Sequence, residues 1–139
     1  MPGSRILSIL RIMTGLLFFE HGTGKIFSFP PPANPRAYEL FTLVPGLAGL
    51  LETIGGILIV FGLFTRPIAF LLSGEMAFAY FMSHAPRNFF PLLNNGDAAI
   101  LYCFVFLYLW VAGGGEWSLD RLLRRGTAPA SGTATGRPA

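Results

Sequence analysis

Between Ala98 and Ala112 every side chain is apolar or aromatic. Asn94-Asn95-Gly96-Asp97 marks a turn before the run and Gly113-Gly114-Gly115 closes it. A helix with no polar side has no face to show water, so it is either the centre of a large protein or a membrane span. The chain is too short and too apolar for the first. It has 139 residues, 53% of them hydrophobic and 12% charged, with mean hydropathy +0.57. A soluble domain carries about 25% charged residues, so the polar surface needed to cover a water-exposed globule is missing.

A spanning helix needs about 20 mostly apolar residues. Four segments are read as spans, the last two shorter than this: Arg5 to Phe27, Pro45 to Phe64, Pro67 to Ser83, and Ala98 to Ala112. The first begins like a signal peptide, but Glu20-His21 stand where small cleavage-site residues belong, so the helix is retained. Phe29-Pro30-Pro31-Pro32 cannot continue it, and Asn34-Pro35 predicts the cap of a short helix reaching Leu43. Gly46, Gly49, Thr53 and Gly56 recur at helical spacing on the second span, a small-residue face for close packing in lipid. Thr65-Arg66-Pro67 is a tight link, which makes spans two and three antiparallel neighbours. Phe89-Phe90-Pro91-Leu92-Leu93 is an apolar connector broken by proline. Trp117 is placed as an interfacial anchor, and Ser118 to Arg125 as a surface segment. Residues 126–139 have the composition of a disordered tail, leaving 1–125 as one domain.

The expected fold is an all-α membrane protein with four transmembrane helices in an antiparallel bundle. Four spans put Arg5, Arg66, Arg121, Arg124, Arg125 and Arg137 on one side, against Lys25, Arg36 and Arg87 on the other. The positive-inside rule then makes both termini cytoplasmic. The formal charge of +3 comes from these termini and loops, without the dense basic stripe that nucleic acid requires. The single cysteine, Cys103, rules out an intrachain disulfide and a Cys-x-x-Cys redox pair.

Ionisable residues inside spans face a bundle interior or a wet cavity and mark functional sites by default. Depth, counted at about 1.5 Å per residue, sorts them. Arg11 and Glu75 fall at similar heights in the inner half, which predicts a structural ion pair. Glu20, His21 and Glu52 fall in one layer nearer the outer face, with Lys25, His84 and Asp97 above. The expected site is a polar funnel open to the outer face, built from Glu20, His21, Lys25, Glu52, His84 and Asp97, that binds a ligand or handles protons. Phe18, Phe19, Phe78 and Tyr80 are its expected walls.

Several short motifs then stand in a telling order. They are Arg11, His21-Gly22-x-x-Lys25, Glu52-x-x-Gly55-Gly56, Gly62-Leu63-x-Thr65-Arg66, Met76-x-x-Ala79 and His84. Asn95-Gly96-Asp97 and Gly113-x-Gly115-x-Trp117-Ser118-Leu119-Asp120 complete the series. With them the chain resembles DoxX-type four-helix membrane proteins from about Arg5 to Asp120; Asp97 stands where that family usually has Glu. The resemblance implies a bacterial inner-membrane location and a loose link to redox chemistry. Relatives of that type include a subunit of a thiosulfate:quinone oxidoreductase, and others appear with quinone stress or membrane-associated oxidant defence.

Three functional classes follow. In the first, the chain is a subunit or accessory of a membrane oxidoreductase, holding a quinone-like or small anionic ligand through His21 and Lys25 while Glu20 and Glu52 exchange a proton. No haem, flavin or nucleotide motif is visible, so electrons need a bound cofactor or a redox partner protein. In the second, the chain is a non-enzymatic scaffold or small-solute carrier, with Trp117 to Arg125 as the docking surface; homo-oligomers fit either class. The third is a carboxylate-bridged metal bundle, since each span carries an acid. Adjacent Glu20-His21 and the depth of Glu75 oppose it, so no metal is expected.

Overall fold

The computed structural model describes residues 2–31, 39 and 41–126. Within them every regular element is helical. Helix α1 spans Pro2–Phe27, α2 Ala48–Phe61, α3 Thr65–Ala79, α4 Pro91–Asn94, α5 Asp97–Ala112 and α6 Leu119–Gly126. A π-helical turn, Leu43–Leu47, leads directly into α2, and another, Tyr80–His84, continues α3. The expected second and third spans are therefore each one helical path of two kinds. The short helix expected after Asn34 and the tail at 127–139 lie outside the described residues. Taken alone, Gly3–Phe27 is long and apolar enough to cross a bilayer; Ala48–Phe61 and Asp97–Ala112 are shorter apolar helices.

The burial pattern is that of a protein solvated by lipid. Ile6, Met13, Leu17, Ile54, Phe70, Leu101, Phe104 and Val111 are exposed along the helices, while Ser8, Arg11, Thr14, Glu52, Thr65 and Ser73 are buried. In water that distribution would invert, because contiguous apolar surface is driven inside. The small core of Phe18, Ile59, Ala69, Leu72, Met76, Phe106 and Leu109 lies where the helices meet.

Helices pair as α1 with α2 and α3 with α5. Apolar burial cannot drive this in lipid, so close backbone contact must. A methyl placed at Gly22 of α1 would lie 2.5 Å from the Thr53 amide nitrogen, and one at Gly56 of α2 would lie 2.8 Å from that of Phe19. Each helix thus offers the other a missing side chain. The α2–α3 turn reverses through Gly62 at φ 67°.

The segment after α5 folds back on this turn. Asp120 accepts the Phe64 and Thr65 amides, both at 2.8 Å, and so caps the start of α3 from a distant part of the chain. Its own amide donates to the Gly62 carbonyl at 3.0 Å. The Trp117 amide donates to the Ser8 hydroxyl, the Glu116 amide to the Ser4 carbonyl, and Arg5 pairs with Glu116 at 3.3 Å. The start of α1 and helix α6 therefore lie at one end of the bundle, tied by the Gly113–Asp120 segment.

Candidate functional site

Arg11 is fully buried. Its Nε donates to the Gly114 carbonyl at 2.8 Å and its Nη2 to the Trp117 carbonyl at 2.7 Å. Nη1 donates to the carbonyls of Ile59 and Val60. Those two belong to the last turn of α2, where carbonyls lack intrahelical donors and the helix dipole is negative. A cation held this way needs no carboxylate.

The expected Arg11–Glu75 pair is accordingly corrected: both Glu75 oxygens are without a hydrogen-bond partner among the described residues. The depth count set the starts of spans one and three in one plane. Helix α1 instead begins at Pro2 and overhangs the α2–α3 turn, so Arg11 sits level with the end of α2. Glu75 stands roughly 15 Å along α3 from Thr65, at about 1.5 Å per residue.

Glu75 joins a different group. Glu52 is 3% exposed; its Oε1 accepts from the Lys25 ammonium, while its Oε2 has no hydrogen-bond partner among the described residues. Glu75 lies within electrostatic reach of Glu52 and Lys25, and His21 within reach of Glu52. The hairpin explains the meeting. Glu52 and Glu75 are equally far in sequence from the Leu63-Phe64 step, and residues equidistant from a tight antiparallel turn share a level. Three buried carboxylate oxygens without donors among the described residues are costly in a bilayer, and the cost is relieved by a ligand's donor.

The other expected residues divide. His21 is on the exposed side of α1, its ring edge-on to Tyr102 at 5.7 Å between centroids. Glu20 is exposed beside it, and Tyr102 is within electrostatic reach of both Glu20 and Glu52. Tyr102 was not singled out from sequence; the signal available was a hydroxyl inside the otherwise apolar run of α5. His84 and Asp97 are not shown joining Lys25 and Glu52. His84 Nδ1 is 3.0 Å from the Asn94 carbonyl, where it fastens the connector, and Asp97 is exposed at the start of α5. Of the expected walls, Phe18 is buried against Tyr102 and Phe106, Tyr80 stacks on His84, and Phe78 is exposed. Among the described residues no three His, Cys, Asp or Glu side chains gather as metal ligands.

Comparison with known proteins bears on this arrangement. A family model described as DoxX matches residues 6–85. The chain is 42% identical over 120 residues to an uncharacterised protein of Haemophilus influenzae, covering 82% of this chain and 87% of the relative. It is 33% identical over 123 residues to the Escherichia coli protein named Inner membrane protein YqjF, covering 84% of this chain and 91% of that one. It is 25% identical over 119 residues to the Bacillus subtilis protein named "Putative oxidoreductase CatD", covering 85% and 87%. No solved structure matches the chain. The family match spans α1 to α3, which supply Arg11, Lys25, Glu52 and Glu75, and the chain belongs to the DoxX family of bacterial inner-membrane proteins.

Proposed function

We propose that this chain is a four-span accessory or subunit of a membrane oxidoreductase system, binding a quinone-like ligand beside Lys25, Glu52 and Glu75. Four spans follow if each π-helical turn counts with the helix it continues: Leu43–Phe61 and Thr65–His84 are then each roughly 30 Å long at about 1.5 Å per residue. With the basic end inside, both termini are cytoplasmic and the Lys25 site lies in the outer half. The name carried by the Bacillus subtilis relative supports an oxidoreductase connection.

The observation that carries the reading is the buried Glu52 carboxylate, with Lys25 on one oxygen and, among the described residues, no hydrogen-bond partner on the other or on Glu75. An ammonium has three N–H donors, and one is used here, so Lys25 retains capacity for a carbonyl oxygen. The surrounding carboxylates repel an anion, which favours the neutral quinone-like ligand over a small anionic one. Glu52 and Glu75 hold the proton that such a carbonyl exchanges. His21 and Tyr102, at the lipid-facing side, mark the way in for an apolar ligand. The chain supplies binding and a proton; electrons come from a redox partner.

Mass spectrometry of the protein purified from its own membranes tests this. The unaltered chain should carry quinone, and Lys25→Met should lower its retention about tenfold, the loss of one charged hydrogen bond. Glu52→Gln should also lower it. Equal quinone in the unaltered chain and both variants would refute the site.

A further inference from the structure

At the opposite end of the bundle, a cleft of about 340 Å³ opens between the first turns of α1, the start of α3 and α6. Arg66, Arg121 and Arg124 line it, with Ser4, Gly113 and Ser118 among their neighbours. One acid, Asp120, also lines the cleft, against three arginines. Both oxygens of Asp120 accept the amides that start α3, and Glu116 pairs with Arg5. The side chains of Arg66 and Arg121 make no hydrogen bond or ion pair among the described residues, so the cleft is left with net positive charge.

Its wall is open at the level of the backbone. Gly113, at φ 83°, has no side chain, and a methyl there would lie 3.5 Å from Arg66 Nε. An anion can therefore sit against the guanidinium edge. Guanidinium groups present forked donors that match phosphate oxygens.

Leu7 and Ala112 also line the cleft, and Leu119, Leu122 and Leu123 of α6, the helix that supplies Arg121 and Arg124, are exposed. Cationic side chains on the same short helix as exposed hydrocarbon are the complement of a phosphate head carrying acyl chains. Basic pockets at the ends of spanning helices are where acidic headgroups bind.

We propose that this cleft is a binding site for the phosphate of an anionic phospholipid, with Arg66 and Arg121 as its jaws. The site is remote from Lys25, and its test leaves the quinone reading untouched.

The experiment is native mass spectrometry of the detergent-purified full chain, titrated with phosphatidylglycerol, cardiolipin or phosphatidylcholine. The unaltered chain should retain the two anionic lipids in preference to phosphatidylcholine. Arg66→Gln should weaken that binding roughly fivefold, and Arg66→Gln with Arg121→Gln about 30-fold. Arg87→Gln, on the connector after α3, should change nothing. An unchanged preference for anionic lipid in the double variant would overturn the site; if that variant does not assemble, Arg121→Gln alone decides by the same titration. Displacement of bound lipid by millimolar inorganic phosphate alone would overturn the assignment to lipid in favour of a soluble phosphate.

Discussion

Four carbonyls from two separate stretches of chain converge on Arg11, and that convergence defines what the residue does. Arg11→Met should take the guanidinium donor from all four, leaving Ile59 the Gly62 amide, and lower stability by about 3 kcal/mol, read as a fall in unfolding temperature in detergent. Arg11→Lys keeps the charge but not the fork, and should lose about half as much. Equal losses would mean that charge alone matters. The inward placement of Arg11 was legible from sequence, because a bare cation does not face lipid. Its partners were not, since any residue can supply a carbonyl. Glu75 illustrates the converse: its match to Glu52 was present in the spacing around Leu63-Phe64, but counting depth from guessed helix ends hid it.

At the scale of elements, α1 and α2 are held by backbone proximity at Gly22 and Gly56. Gly22→Val forces the helices apart and should cost about 2 kcal/mol or more, the usual penalty of overpacking. Gly24→Ala, with nothing within 4 Å of its added methyl, should be neutral or slightly stabilising. Thermal unfolding of the two variants side by side checks this, and similar losses in both would count against the packing described. The small face of α2 was read correctly from periodicity, and the fence of glycines after α5 was also clear. The π-helical turns were not, because one extra residue per turn leaves no mark in an apolar sequence. Trp117 to Arg125 is a docking face only in the scaffold reading; what the structure adds is that the Trp117 backbone and the Asp120 carboxylate hold the start of α1, Arg11 and the cap of α3.

At the scale of the whole molecule, the exposed leucines and phenylalanines and the buried polar groups make sense with lipid outside. Reporter fusions test the four-span arrangement. Alkaline phosphatase joined after Arg87 should be active, and joined after Arg66 or Arg125 inactive. Activity after Arg66 would invert or break the topology. The class of fold was readable because composition alone forbids a water-exposed globule. Of the proposed site, Lys25 and Glu52 are legible in the sequence, whereas Tyr102 and the place of Glu75 depend on how helices sit side by side.

The dispersal of the Arg11 acceptors also bears on biosynthesis. Helix α1 leaves the ribosome before α2, carrying a guanidinium whose partners have not yet been made. Ile59 and Val60 can serve it once α2 has entered the membrane, but Gly114 and Trp117 are translated only after α5. The nascent chain therefore stays incompletely satisfied until α5 has emerged, and a product cut short before residue 117 exposes that deficit to membrane quality control.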